Sequence, residues 1–176
     1  VYREDAYVEK YESVLSEMFP GFKTLPEELA ARFPESEIVY AYGYDYAGTD
    51  ESKFEEALGA CRDADLIVLT LGGKCGTGAR CSMGENVNSV NIGLPPAQEK
   101  FIALVAQFAK PMVGLHFDGR PVSSDAADRY LDAILECWNP SAYGAKAAVA
   151  ILAGDENPSG KLPVTCLLYT SPSPRD

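Results

Sequence analysis

The 176 residues contain one histidine, His116, and one tryptophan, Trp138. Five cysteines (Cys61, Cys75, Cys81, Cys137 and Cys166) form no CxxC pair, so a structural zinc site lacks its usual ligand spacing and no metal is expected. An odd cysteine count without that spacing reads as free thiols in a reducing compartment, and a cytoplasmic setting is expected, with Cys75 and Cys81 the pair a disulfide would use. Bases are few: 15 against 26 acids, for a net charge of -11. Such a surface repels phosphate backbones, which argues against a nucleic-acid partner. No apolar run approaches the ~20 residues of a membrane helix, so no membrane partner is expected. The opening VYREDAYVEKYE is charged and has no signal-peptide pattern, although the natural amino terminus is expected to lie further upstream.

What remains is ordinary globular composition, 47% hydrophobic and 23% charged, enough for one domain with a sizeable core. Tyr7, Tyr11, Val14, Leu15 and Met18 recur at helical spacing, and Pro20-Gly21 ends that helix. A second helix begins near Thr24, with Pro26 and Glu27 in its first turn. Ile38 to Tyr42 is β-branched and aromatic and reads as a first strand. Asp50 is a candidate cap for a helix running to about Arg62. The apolar run LIVLTL after Asp65 suits a strand covered on both faces, as in a parallel sheet. Beyond a long loop, Pro95 opens a helix to about Ala109. A strand over Pro111–Phe117, a short helix from Ser124-Asp125 to about Tyr130, and a strand over Ala133–Trp138 follow. Ser141 is read as the cap of a last helix that Gly154 closes, and Lys161–Val164 as a short edge strand. The alternation predicts a layered α/β/α sandwich with a mainly parallel, flavodoxin-like sheet that lacks its first strand. Ligands of open sheets bind outside the carboxyl ends of the strands. The loop after Leu71, the Asp118–Arg120 turn and Trp138 all fall on that edge.

The loop, Gly72 to Gly93, reads GGKCGTGARCSMGENVNSVNIG. A compact domain rarely carries ~20 unstructured residues unless they bind, cover or catalyse something. Its glycines suggest a phosphate cradle, but Lys74 is followed by Cys75 and Val68 stands where a P-loop needs its first glycine. The dinucleotide pattern fails at Cys81, and no nucleotide cofactor is expected. A nucleophilic Cys75 or Cys81 would need His116, and a lone histidine in an apolar strand reads as a core residue. Glycosidic cleavage asks for two carboxyl groups. Glu85 is the only carboxylate between Asp65 and Glu99, and Gly84 lets the backbone turn beside it; the plain alternative is a solvated surface glutamate. Asp118 and Arg120 hold a substrate hydroxyl or, as the favoured reading, form a turn ion pair. Trp138 is either a sugar-stacking platform or a core plug.

The stretches DADLIVLTLGG, SMGENVNSVNIGLPPAQEKFI, KPMVGLHFDGRPVSS, AILECWNP and GDENPSGKLPVT, in this order and spacing, resemble the second, α/β-sandwich domain of glycoside hydrolase family 3, the β-glucosidase and β-xylosidase family. The resemblance runs from about Thr24 to Thr165. In that family a barrel domain supplies an aspartate nucleophile, and in many members a sandwich loop supplies the acid/base glutamate from a Ser/Thr-Gly-Glu motif. That motif maps onto Met83-Gly84-Glu85, which implies Glu85 as the acid/base residue of a retaining glycosidase acting on terminal β-linked glucose or xylose. Many members carry Asp-Arg where this chain has Asn88-Ser89, so the local charge support differs. Lys74, Arg80, Asp118, Arg120 and Trp138 are candidate substrate contacts. Lys74 and Arg80 would lower the pKa of Glu85 if they approached it.

A carbohydrate substrate and the barrel of the same parent chain are the implied partners, with no cofactor. An eight-fold β/α array needs ~250 residues, so the barrel is not within this sequence. The expected organisation is an amino-terminal helical segment over 1–23, the sandwich domain over 24–165 and a non-family tail over 166–176. The chain alone is expected to be inactive. The rival expectation is a flavodoxin-like small-molecule-binding or regulatory module with the loop as a ligand cover.

Overall fold

A computed structural model describes residues 14–74, 82–83 and 91–164. Glu85, Arg80, Cys75, Cys81, Asn88, Ser89 and the tail over 166–176 lie outside the described residues, as does the first part of the amino-terminal helix. The described residues fall into two compact units, one within Val1–Tyr40 and Pro140–Asn157, the other within Ala41–Asn139 and Pro158–Asp176.

In the first unit, residues 14–18 are helical and the helix stops before Pro20-Gly21, as expected from those two residues. Helix α1, Leu25–Arg32, starts where Thr24 donates its N–H and hydroxyl to the Glu27 carboxylate at 2.7 and 2.8 Å. It packs against the last helix of the chain, α5, Gly144–Leu152, which buries Ala148 and Val149. Arg32 grips Asp155 through two bonds, 2.6 and 2.7 Å. Tyr143 sets its ring edge-on to Phe19 and donates its hydroxyl to the Pro20 carbonyl at 3.2 Å. Gly154, at φ +75°, closes α5. Ser141 does not cap this helix. Its first residue follows Tyr143, without a side-chain cap bond, and Ser141 contributes only its carbonyl to the Gly144 N–H.

The second unit is an α/β sandwich. Its sheet has three parallel strands in the order β1-β2-β3: β1 Ile67–Gly72, β2 Met112–Phe117 and β3 Ala133–Glu136. The central strand is buried along most of its length, whereas Ala133 and Ile134 of β3 are exposed. β1 hides Ile67, Leu69 and Leu71 and leaves Thr70 outward, so full cover on both faces is reached only at the centre of the sheet. Helices α2 (Phe54–Asp63), α3 (Pro96–Val105, extended by a 3₁₀ turn Ala106–Phe108) and α4 (Asp125–Tyr130) complete the unit, with α3 against both α2 and α4. Phe101 on α3 is the hub: the Phe54 and Tyr44 rings each meet it edge-on at 5.1 Å. α4 starts at Ser124-Asp125 as expected, and Ser124 caps it, accepting the Ala127 N–H at 2.9 Å.

Four further local expectations need correction. Residues 38–42 form no strand; Val39 and Tyr40 stand 63% and 68% exposed, because β-branched and aromatic composition makes a strand only where a neighbour supplies the ladder. Residues 161–164 form no edge strand for the same reason. Asp50 does not cap α2; its carboxylate is engaged by the Ser52 N–H at 2.9 Å, and the helix starts four residues later, after Lys53. β3 ends at Glu136 rather than Trp138, because Trp138 takes a left-handed φ of +54° that no strand can continue.

Candidate functional site

The carboxyl ends of all three strands converge, and every residue of the convergence belongs to the second unit. Parallel pairing sets Gly72 of β1 beside Phe117 of β2, and His116 of β2 beside Glu136 of β3. The loop's exit is anchored at Gly72, whose N–H donates to Gln98 Oε1 at 2.9 Å. Gln98 Nε2 returns a bond to the Gly72 carbonyl at 2.8 Å and reaches the Asp45 carbonyl at 3.1 Å. Gln98 is 2% exposed, so this amide replaces water for backbone groups that the sheet leaves open.

The next anchor is Ser82. Its hydroxyl accepts the Lys74 N–H at 3.1 Å and donates to the Tyr46 carbonyl at 2.9 Å, while the Met83 N–H donates to the Lys74 carbonyl at 3.1 Å. Arg120 donates from Nη2 to the Ser82 carbonyl at 3.2 Å. Lys74 and Ser82-Met83 are thereby clasped together, and buried Met83 lies two residues before Glu85. The return limb is also tied, by a parallel bridge between Gly93 and Ser123.

Of the sequence-predicted residues, Lys74, Asp118, Arg120 and Trp138 are brought to this one edge. Lys74 holds its ammonium 5.4 Å from the Tyr46 ring centre. Asp118 and Arg120 do not make the turn ion pair: Asp118 is 1% exposed and faces His116, with Oδ2 3.3 Å from Nδ1, while Arg120 serves Ser82. Trp138 is half-buried. Its carbonyl accepts the Asp118 N–H at 3.0 Å, and its own N–H donates to Glu136 Oε1 at 2.8 Å. These two bonds hold a left-handed backbone that costs a bulky residue about 1–3 kcal/mol.

His116 is a core residue as read, at 4% exposure, but not a satisfied one. Its Nε2 and both carboxylate oxygens of Asp118 make no hydrogen bond among the described residues. A buried polar group left so costs about 1–3 kcal/mol, and more when charged. Glu136 Oε2 is 4.0 Å from His116 Nδ1. Burial holds the Glu136 carboxyl above its ordinary value and the Asp118 charge adds to this, against the pull of the Trp138 N–H and His116. The neighbouring Cys137 thiol is pushed up to about 11, by burial first and then by Glu136 and Asp118.

Gln98, Ser82 and Glu136 escaped the sequence reading. Gln98 had a signal: it shares a helical face with Phe101, Ile102 and Val105, where a polar residue must have buried partners. Ser82 had none. Glu136, a carboxylate ending an apolar strand, gains meaning only from its register with His116.

Fold and site define an α/β-sandwich domain in which the described ends of a long loop are anchored at the carboxyl edge of a parallel sheet. The chain belongs to the glycosyl hydrolase family 3 C-terminal domain family, whose sequence profile matches residues 4–174. A periplasmic β-glucosidase of Salmonella typhimurium is 34% identical over 115 residues, which cover 65% of this chain and 14% of that protein. A probable β-D-xylosidase 7 of Arabidopsis thaliana is 31% identical over 149 residues, 83% of this chain and 19% of that one. Among solved structures, a GH3 exo-β-xylosidase in complex with a xylobiose aziridine probe superimposes with a TM-score of 0.68 at 27% identity, over 81% of this chain and 18% of that one. A β-glucosidase from Listeria innocua in complex with gluconolactone gives 0.56 at 30% identity, over 68% and 16%. The chain therefore spans under a fifth of the length of each of these four relatives. No helix among the described residues is long and apolar enough to cross a membrane.

Proposed function

We propose that this chain is the acid/base-bearing domain of a retaining glycosidase that cleaves terminal β-linked glucose or xylose. Glu85 protonates the departing glycosidic oxygen and then acts as base on the water that releases the sugar from a glycosyl-enzyme intermediate. An aspartate on a separate barrel domain of the parent protein is the nucleophile. The observation that carries this reading is the clasp of Lys74 to Ser82-Met83 under Arg120, which supports a fixed root for the segment leading to Glu85. The relatives named β-glucosidase and β-xylosidase support the reaction class. A reducing compartment belongs to this reading on the strength of the free thiols Cys61 and Cys137, although the Salmonella relative is named periplasmic.

An acid that works near neutrality needs a raised pKa, which the nucleophile's charge and burial at a domain interface would supply. A flavodoxin-like binding module is the second reading; among the described residues, an open hollow lined by Ala109, Pro111, Arg129 and Asp132 lies at the amino ends of β2 and β3, the edge opposite the one where such sheets bind ligands.

The test is Glu85→Gln in the parent protein. Hydrolysis of substrates with poor leaving groups should fall by about 10²–10⁴-fold, the usual worth of general acid catalysis, while dinitrophenyl glycosides are largely spared. Equal losses across leaving groups would remove Glu85 from the acid role. Turnover of nitrophenyl glycosides by the purified chain alone would refute the division of labour between two domains.

A further inference from the structure

Position and register place three ligating side chains on one face of the sheet. His116 and Asp118 are two residues apart at the end of β2, and residues so spaced along extended chain point the same way. Glu136 ends β3 as the register partner of His116, on the neighbouring strand. Each of the three offers one ligand atom, and those atoms all lie within 4.8 Å of one another. The nearest pair, His116 Nδ1 and Asp118 Oδ2, is 3.3 Å apart, and His116 Nδ1 to Glu136 Oε2 is 4.0 Å. Two ligands around a tetrahedral zinc are separated by about 3.4 Å, given metal–ligand distances of ~2.1 Å, so small side-chain rotations close the set on an ion.

We propose that His116 Nδ1, Asp118 and Glu136 form a binding site for one divalent transition cation of the zinc class. One imidazole nitrogen with two carboxylates is a mixed N/O donor set that suits such an ion better than magnesium or calcium, which prefer oxygen alone. Two observations beyond the cluster itself point to a ligand. Asp118 is 1% exposed with neither carboxylate oxygen hydrogen-bonded among the described residues, and an unpaired buried carboxylate calls for a counter-charge. Glu136 is also pre-oriented, because the Trp138 N–H engages Oε1 and leaves Oε2 on the His116 side. Outer hydrogen bonds of this kind orient the ligands of built metal sites. The ion neutralises the pair of carboxylates and ties the end of β3 to the end of β2, bracing the left-handed Trp138 backbone between them. It is remote in role from the loop chemistry of Glu85, and it does not depend on that reading.

The test uses the full 176-residue chain, stripped with chelator and refilled with zinc chloride, cobalt chloride or, as a control, magnesium chloride. One zinc per chain should bind, and the unfolding midpoint should rise by several degrees at saturating zinc, a hundredfold excess over Kd shifting the folding equilibrium about 100-fold. Magnesium should leave it unmoved. Asp118→Asn and His116→Gln should abolish the rise. If either fails to fold, Glu136→Gln serves, since its amide oxygen still accepts the Trp138 N–H; its zinc affinity should drop at least tenfold with the apo-state midpoint retained. Cobalt should give a visible spectrum without a thiolate charge-transfer band. A thiolate band, zero stoichiometry, or a zinc-induced rise that survives in Asp118→Asn and Glu136→Gln would each overturn the site.

Discussion

Gly72 and Asp118 share one corner of the sheet so closely that a β-carbon on Gly72 would overlap Asp118 Oδ1 and the Phe117 carbonyl oxygen. Gly72 also has φ +113°, outside the range that side chains tolerate. Gly72→Ala should therefore lose about 2–5 kcal/mol, a left-handed penalty of ~1–2 added to ~1–3 of overpacking. Urea unfolding of the purified chain measures it. A loss below about 1 kcal/mol would mean that the corner is looser than described.

Gln98 makes three bonds to the backbone of Gly72 and Asp45. Gln98→Leu keeps the volume and strands those buried groups, so about 3 kcal/mol should be lost by denaturant unfolding, on the scale of ~1–3 for each unsatisfied group with partial relaxation. The same variant in the parent should weaken catalysis through the loop root. A stability change within about 0.5 kcal/mol would show that water replaces the amide without difficulty.

Ser124 and Ser141 form a matched pair of tests. Ser124→Ala removes the bond to the Ala127 N–H and should cost about 1 kcal/mol, the usual worth of an N-cap. Ser141→Ala should change stability by less than about 0.5 kcal/mol, because no cap bond leaves its side chain. The reverse ranking in thermal melts would contradict both assignments.

Tyr44 donates its hydroxyl to the Thr70 carbonyl of β1 at 3.1 Å, and burial, with the nearby Cys61 thiol, drives its phenol above the ordinary value of 10.0. The sign follows from linkage: the proton is held longer folded than unfolded, so this stability is present below about pH 10 and is lost as pH rises through the raised value. Tyr44→Phe should cost about 1 kcal/mol at pH 7 for the lost bond. Above pH 10 it should unfold less steeply with pH than the parent sequence. Parallel alkaline stability curves for the two proteins would exclude this.

Much of the sheet was legible because its signals are local. LIVLTL and MVGLHF are apolar runs of strand length, Ser124-Asp125 carries its own cap, and Pro95-Pro96 marks a helix start. The misread segments share one cause. Ile38 to Tyr42 has strand composition but no ladder partner, and Asp50 and Ser141 are good caps whose side chains or positions answer to other contacts. Propensity ranks what a segment can do, and neighbours decide what it does.

By itself, the sequence determined the α/β class, the position of the long loop between β1 and α3, and the chemical candidacy of Glu85, since periodicity, glycine content and carboxylate spacing are properties of the chain alone. Only the tertiary structure decided that Asp118 turns from Arg120 to His116, that Arg120 and Ser82 clasp the loop's root, and that Glu136 completes a three-ligand cluster. Those relations depend on which residues parallel pairing sets side by side. His116 and Glu136 are twenty positions apart in sequence and adjacent in register, and no local pattern encodes that distance.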